Sequence, residues 1–256
     1  RFLPVSWLGD VYKRQVVTYF TLYGLLFFWT LYLQRVLGDS PLTSGVQLMP
    51  LTFGFIAAVP FAGLTSARFG PRAAMLLGLL GMAAGSVLLT RVHIADGYGG
   101  VWPLFTLLGF SLSFAAIAGV QTVLSNAPVQ FAGIAGAVLT TACQIGGVLG
   151  IAVLGSVLGT HATSALAHDL TARGIAPGLA ARIATHVATG SAQTVAPLGS
   201  RLPPGVVRHV AAAAPQAFLS GLHAAMWLGA AVALAGCLLA PLIRRGASAV
   251  GPATLG

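Results

Sequence analysis

The chain has 256 residues, of which 57% are hydrophobic and 7% charged, and its mean hydropathy is +0.90. Those values lie far outside the range of soluble domains, so lipid is the solvent for most of the chain. The net charge of +9 comes from 13 basic against 4 acidic residues spread through loops and ends, a pattern of topology signals and lipid-headgroup contacts rather than a nucleic-acid footprint.

Val5 to Gln15 reads VSWLGDVYKRQ and resembles the translation of a transposase-type sequencing adapter, with DVYKRQ matching the adapter's invariant end in one frame. Lys13 within it is the only lysine of the chain, as a foreign insertion into an arginine-using sequence would give. The resemblance implies that residues 1–15 are an artefact segment and that the natural protein was cut before Val16, its N-terminal portion missing. An ordinary juxtamembrane segment is the alternative.

Six apolar runs follow, at about residues 16–34, 44–64, 72–90, 101–124, 132–159 and 216–243, and none has Lys, Arg, Asp or Glu in its interior. Roughly 20 such residues cross the hydrocarbon core, where only helices and closed barrels satisfy their own backbone hydrogen bonds. A barrel needs alternating residues, and these runs do not alternate. The fold class is therefore an all-α polytopic membrane protein with six transmembrane helices.

On the first run lie Tyr19, Tyr23, Trp29 and Tyr32. Aromatic residues near span ends are ordinarily interface anchors, the reading taken for Trp29 and Tyr32, whereas Tyr23 lies nearer the middle and is a candidate for a substrate cavity. Gln47, Gln121 and Asn126 are further polar cavity candidates in or beside the spans, and His223 is either a packed residue or a protonatable one. On the fifth run Thr141 and Gln144 lie with Thr140 on a different face from Gly146, lining a cavity or bonding to a neighbouring helix. Gly146 with Gly150, and Gly155 with Gly159, form small-xxx-small pairs suited to close helix packing. Cys143 and Cys237 fall inside spans and read as packed thiols, with no disulfide or metal site expected.

Thr160 to Pro215 reads as a long polar loop broken at Pro177, Pro197, Pro203 and Pro204. Leu179, Ile183 and Val187 recur every four residues there, predicting a short amphipathic helix against the membrane or the bundle, with a mobile alanine-rich loop as the alternative. Its histidines, His161, His168, His186 and His209, are too scattered for a metal site.

Arg68 and Arg72 in the second loop, and Arg244 with Arg245 at the C-terminal end, place both on the cytoplasmic side by the positive-inside rule. The long loop, with Arg173, Arg182, Arg201 and Arg208, votes the other way, although its length is near the limit of the rule.

Leu31 to Leu42, LYLQRVLGDSPL, followed by Gly45 and Met49-Pro50, resembles the start of the C-terminal half of a major facilitator superfamily transporter, most like the fourteen-helix drug:proton antiporter branch. Gly63 to Arg72, GLTSARFGPR, resembles the superfamily's cytoplasmic loop signature, and Gly133 to Gly155 its glycine-rich helix before a long external loop. In that signature Gly63 and Gly70 permit a tight turn and close helix approach, Pro71 stops one helix, and Arg68 and Arg72 remain in the interface. Ala67 stands where the family pattern has aspartate, which leaves the loop's implied latch role in doubt against that of a basic orienting turn. Thr140 and Cys143 likewise depart from the family's usual Asn-Thr-x-Arg or Gln.

The resemblance implies that residues 16–256 form one six-helix half of a major facilitator fold, from a proton-coupled permease exporting drugs or small organic metabolites by alternating access, with antibiotic resistance as the phenotype. Its implied setting is the bacterial inner membrane, multi-pass, with a cytoplasmic C-terminus, and its partners are membrane lipid, a small-molecule substrate and the missing N-terminal half. All four acids, Asp10, Asp39, Asp96 and Asp169, lie in loops or in the adapter-like segment, so the proton-carrying carboxylate is expected in that other half. Alternatives are a twelve-helix facilitator for a sugar or organic anion, and a non-transporting membrane scaffold. No cofactor is implied, and neither a convergent catalytic set nor a phosphate-binding loop suggests an enzyme.

Overall fold

A computed structural model describes residues 5–126, 129–188 and 203–238, with side chains from residue 12 onward except at 94–96, 123–126, 129, 188 and 204. The elements are α1 (Val5–Arg35), α2 (Pro41–Gln47), α3 (Met49–Phe69), α4 (Pro71–Leu89), a 3-10 turn (Ile94–Gly100), α5 (Trp102–Asn126), a second short turn (Val129–Phe131), α6 (Ala132–Ala172), α7 (Pro177–Ala188) and α8 (Pro204–Leu238). No strand occurs among the described residues, and six helical stretches are long and apolar enough to cross a membrane.

Local chemistry sets the breaks. Ser40 caps α2 by accepting from the Thr43 amide at 3.1 Å, with Pro41 in the first helical turn. Gly70, at φ 85° and ψ 160°, ends α3 and starts α4, and Pro71 follows as the first residue of the new helix. Gly174, at φ 85°, ends α6 in a Schellman motif: the Ile175 amide donates to the Leu170 carbonyl at 3.1 Å and the Gly174 amide to the Thr171 carbonyl at 3.0 Å.

Two close pairs, α1 with α6 and α3 with α5, are joined where α1 also packs against α5, while α4 and α8 close the back of the bundle. No hydrophobic force draws helices together in lipid, so backbones approach where side chains are smallest. A Cβ on Gly54 would strike the Thr106 carbonyl, and one on Gly109 the Leu51 carbonyl, so α3 and α5 each offer a glycine to the other. Gly78 of α4 is equally close to α5, where a Cβ would lie 2.8 Å from the Ser111 carbonyl oxygen.

Trp29 and Tyr32 are not interface anchors. Both are fully buried at the centre of the largest core, with Leu25, Phe105, Leu222 and Met226. The Trp29 indole donates to Met226 Sδ at 3.3 Å, and its ring meets Tyr32 and Phe105 edge-on at 4.9 and 6.1 Å. The indole thus finds its polar partner inside the bundle rather than at the headgroups.

The segment from 160 to 215, expected as a loop, is largely helical among its described residues. α6 continues to Ala172 and α8 begins at Pro204, carrying Pro215 in its interior. At 1.5 Å per residue α6 is about 60 Å long, roughly twice the hydrocarbon thickness. Its far end packs with α7 and the start of α8 around a second apolar core of Leu166, Leu170, Ile183, Val187 and Val210. The buried stripe of α7 is Ala180, Ile183, Ala184 and Val187; Leu179 falls outside it and is exposed. This cap stands at the end of the bundle opposite Gly70.

Candidate functional site

α1 is enclosed by α5, α6 and α8, so its span leaves open little more than one stripe, on which Tyr23 and Phe27 are exposed. Their spacing of four puts them on one face. Tyr19, one turn before Tyr23, pairs with it at a ring separation of 5.6 Å.

The register that brings these groups together comes from glycines. A Cβ on Gly146 would collide with the Val16 carbonyl and one on Gly150 with the Phe20 carbonyl, so α6 lies directly on the α1 backbone. Gly147 meets the Tyr23 ring instead. Gln144 is exposed and makes no hydrogen bond among the described residues, which leaves its amide free to donate and accept. Thr140 and Thr141 are also exposed, yet both hydroxyls are returned to their own helix, at Gly136 and Ala137 respectively.

Tyr23 and Gln144 therefore share one region of the open face, with Thr141 further round α6. Gln47 and Gln121 do not join them. Gln47 belongs to α2, where the Tyr98 hydroxyl donates to its backbone carbonyl at 2.9 Å and its own Oε1 is buried without a partner. That corner follows the end of α1 at Arg35, roughly 18 Å along the axis from Tyr23. Gln121 is half-buried near the other end of α5, and the side chain of Asn126 lies outside the described residues. His223 donates from Nε2 to the Val92 carbonyl at 3.2 Å, bracing α8 against the end of α4.

In the loop signature Arg68 and Arg72 are exposed on either side of the Gly70 turn, and neither makes an ion pair among the described residues. Gly63 differs from its expected role, because a Cβ there would meet nothing within 4 Å. The buried small residues of α3 instead include Ala62 beside it and Ala58 and Gly54 further back, and it is Gly54 that meets the α5 backbone. Gly159 differs too. It lines a shallow groove of about 570 Å³ between α6 and α7 with Ser156, Thr160 and Thr163, while Gly155 faces the Phe28 ring. At that level the contact of α6 with α8 uses the partner's glycine, Gly221, against the Leu158 carbonyl.

The packing glycines of α1, α3, α4, α5 and α8 were not singled out from sequence. In α1, α3, α5 and α8 these glycines lack a glycine partner four residues on, and only the crossing points distinguish them; Gly81 and Gly85 of α4 do have that spacing. The pairing of Gly147 with Tyr23 was likewise hidden behind its neighbour Gly146.

The Major Facilitator Superfamily model matches residues 5–151, from the start of α1 through the Tyr23 and Gly147 contact. The chain belongs to this superfamily. The match includes residues 5–15 as well as the loop signature and most of the α6 span. The chain is 33% identical over 96% of its length to the tetracenomycin C resistance and export protein of Streptomyces glaucescens, covering 45% of that protein. It is 34% identical to the puromycin resistance protein of Streptomyces alboniger over 58% of the chain and 30% of that relative. It is 28% identical to the multidrug resistance protein Stp of Mycobacterium tuberculosis over 83% of the chain and 40% of that relative. The chain thus spans less than half the length of these curated relatives. It is a multi-pass membrane chain of the superfamily, and the relatives it resembles are named for drug resistance and export.

Proposed function

We propose that this chain is the C-terminal half of a proton-coupled efflux permease of the bacterial inner membrane that exports drugs or small organic metabolites by alternating access. The observation that carries this reading is the alignment of nearly the whole chain with 45% of an export protein, six spans against a longer partner. Permeases of this architecture hold substrate near the bilayer midplane between two halves that rock about it. The open face with Tyr23 and Gln144 supplies one wall, and the partner half supplies the other.

Within the spans no described side chain is a carboxylate: Asp39 lies in the turn after α1, and Asp169 pairs with Arg173 at 2.8 Å in the cap. A proton carried through the membrane needs a titratable group there, and we assign it to the N-terminal half. Arg68 and Arg72 support a cytoplasmic Gly70 end, with the α6–α7–α8 cap outside.

The test is export by the full-length gene product in an efflux-deficient bacterial host. Retention of a fluorescent lipophilic dye should fall on expression and recover when a protonophore collapses the gradient. Unchanged retention refutes export, and a fall insensitive to the protonophore refutes proton coupling. Residues 16–256 alone should give no vectorial flux in vesicles. A long sequence read through the locus should show no DVYKRQ before Val16 and eight upstream spans; six upstream spans would instead favour a twelve-helix facilitator.

A further inference from the structure

The Tyr23 ring occupies the place where a Cβ on residue 147 would stand. Its Cε2 and Cγ lie 3.1 and 3.2 Å from that point, and Cδ2 lies closer still. Glycine at 147 therefore seats the ring on the α6 backbone, and any larger residue evicts it. The neighbouring Gly146 has a different partner, the Val16 backbone. Close helix approach accounts for Gly146; it does not account for Gly147, whose contact is a side chain.

Tyr23 is held on one side by α6 and on another by Tyr19. It is nevertheless 36% exposed. A ring pinned in this way offers contact area without much rotamer entropy left to lose on binding. Gln144, three residues and so about one turn before Gly147 on α6, is exposed and its amide is uncommitted among the described residues.

We propose that Gly147 is a specificity-determining position that acts through Tyr23, seating the ring as a stacking platform for planar aromatic substrates whose polar edge meets Gln144. This deepens the efflux reading and rests on it. Gly147 is a positioning residue, and the surface that touches substrate is Tyr23.

The experiment uses the full-length permease in proteoliposomes with two probes: Nile red, planar and uncharged, and tetraphenylphosphonium, a non-planar cation. Tyr23→Phe keeps the ring and should raise KM for Nile red by distinctly less than Tyr23→Leu does. Tyr23→Leu and Gly147→Ala should raise that KM about 3- to 10-fold, the scale of a lost aromatic contact, while kcat and any tetraphenylphosphonium transport hold. Tyr23→Leu keeps the test open if Gly147→Ala does not fold. Equal losses for both probes, or a loss in Tyr23→Phe as large as in Tyr23→Leu, overturn the platform and leave export standing. Wild-type transport of tetraphenylphosphonium without Nile red overturns the substrate class, and transport of neither probe counts against the efflux reading itself.

Discussion

Gly150 of α6 rests on the backbone of Phe20 in α1. A Cβ at 150 would collide with the Phe20 carbonyl oxygen and lie 2.8 Å from the carbonyl carbon. Main chain cannot yield as a flexible side chain can, so Gly150→Ala must push the helices apart. We expect it to destabilise the full-length protein by on the order of 1–3 kcal/mol, the usual cost of overpacking, read as a lower Tm in detergent. Gly63→Ala is the control, because its Cβ enters open space within a helix. It should hold or slightly raise the Tm, since alanine is the better helix former. Equal effects at the two positions would mean that the α1–α6 crossing is not as close as described.

At the α3–α4 turn, Gly70 combines φ 85° with ψ 160°, a region open essentially to glycine alone. Gly70→Ala should cost about 1–3 kcal/mol. Gly70→Asn should bring no rescue, because asparagine favours the left-handed helical region, whose ψ is near 47°. A stable asparagine variant in thermal unfolding would show that the turn is left-handed helical instead.

Trp29→Ala should be among the most damaging single changes, about 3–5 kcal/mol, because it empties the centre of the main core and removes the partner of Met226. Trp29→Phe keeps most of the volume and should cost distinctly less. An indole at the headgroup interface would give the opposite pattern, with small losses in detergent stability and a change confined to membrane insertion.

The cap depends on Ile183. Ile183→Asp places a charge in the core shared by α6, α7 and α8 and should release α7, whereas Leu179→Asp alters an exposed position of the same helix and should not. Limited trypsin digestion reads the difference. Cleavage at Arg173 and Arg182 should accelerate in the Ile183 variant only, with the remaining bundle intact. Equal cleavage in both would show that α7 is not anchored through its buried stripe. The Asp169–Arg173 pair is exposed and worth well under 1 kcal/mol, too little to hold the cap alone.

The sequence by itself determined the solvent, the helical class and the six crossings, because the cost of an unsatisfied backbone group in lipid leaves few alternatives to a long apolar helix. It also placed the turn at Gly70-Pro71 and the helical period around Ile183, both written in adjacent residues. Tertiary structure decided the rest. Trp29 and Tyr32 have the composition of interface anchors, and only the packing of α5 and α8 over them makes them core. Gly54 and Gly109, far apart in the sequence and in different helices, matter only because each meets the backbone of the other's helix. Gly146 and Gly147 are the same residue type side by side, yet a helix turns about 100° between them, so one meets a carbonyl and the other the ring of Tyr23. Which polar groups share a face is likewise a matter of crossing register: Tyr23 and Gln144 come together because α6 lies on α1, while Gln47 and Gln121 are carried to opposite ends of the bundle.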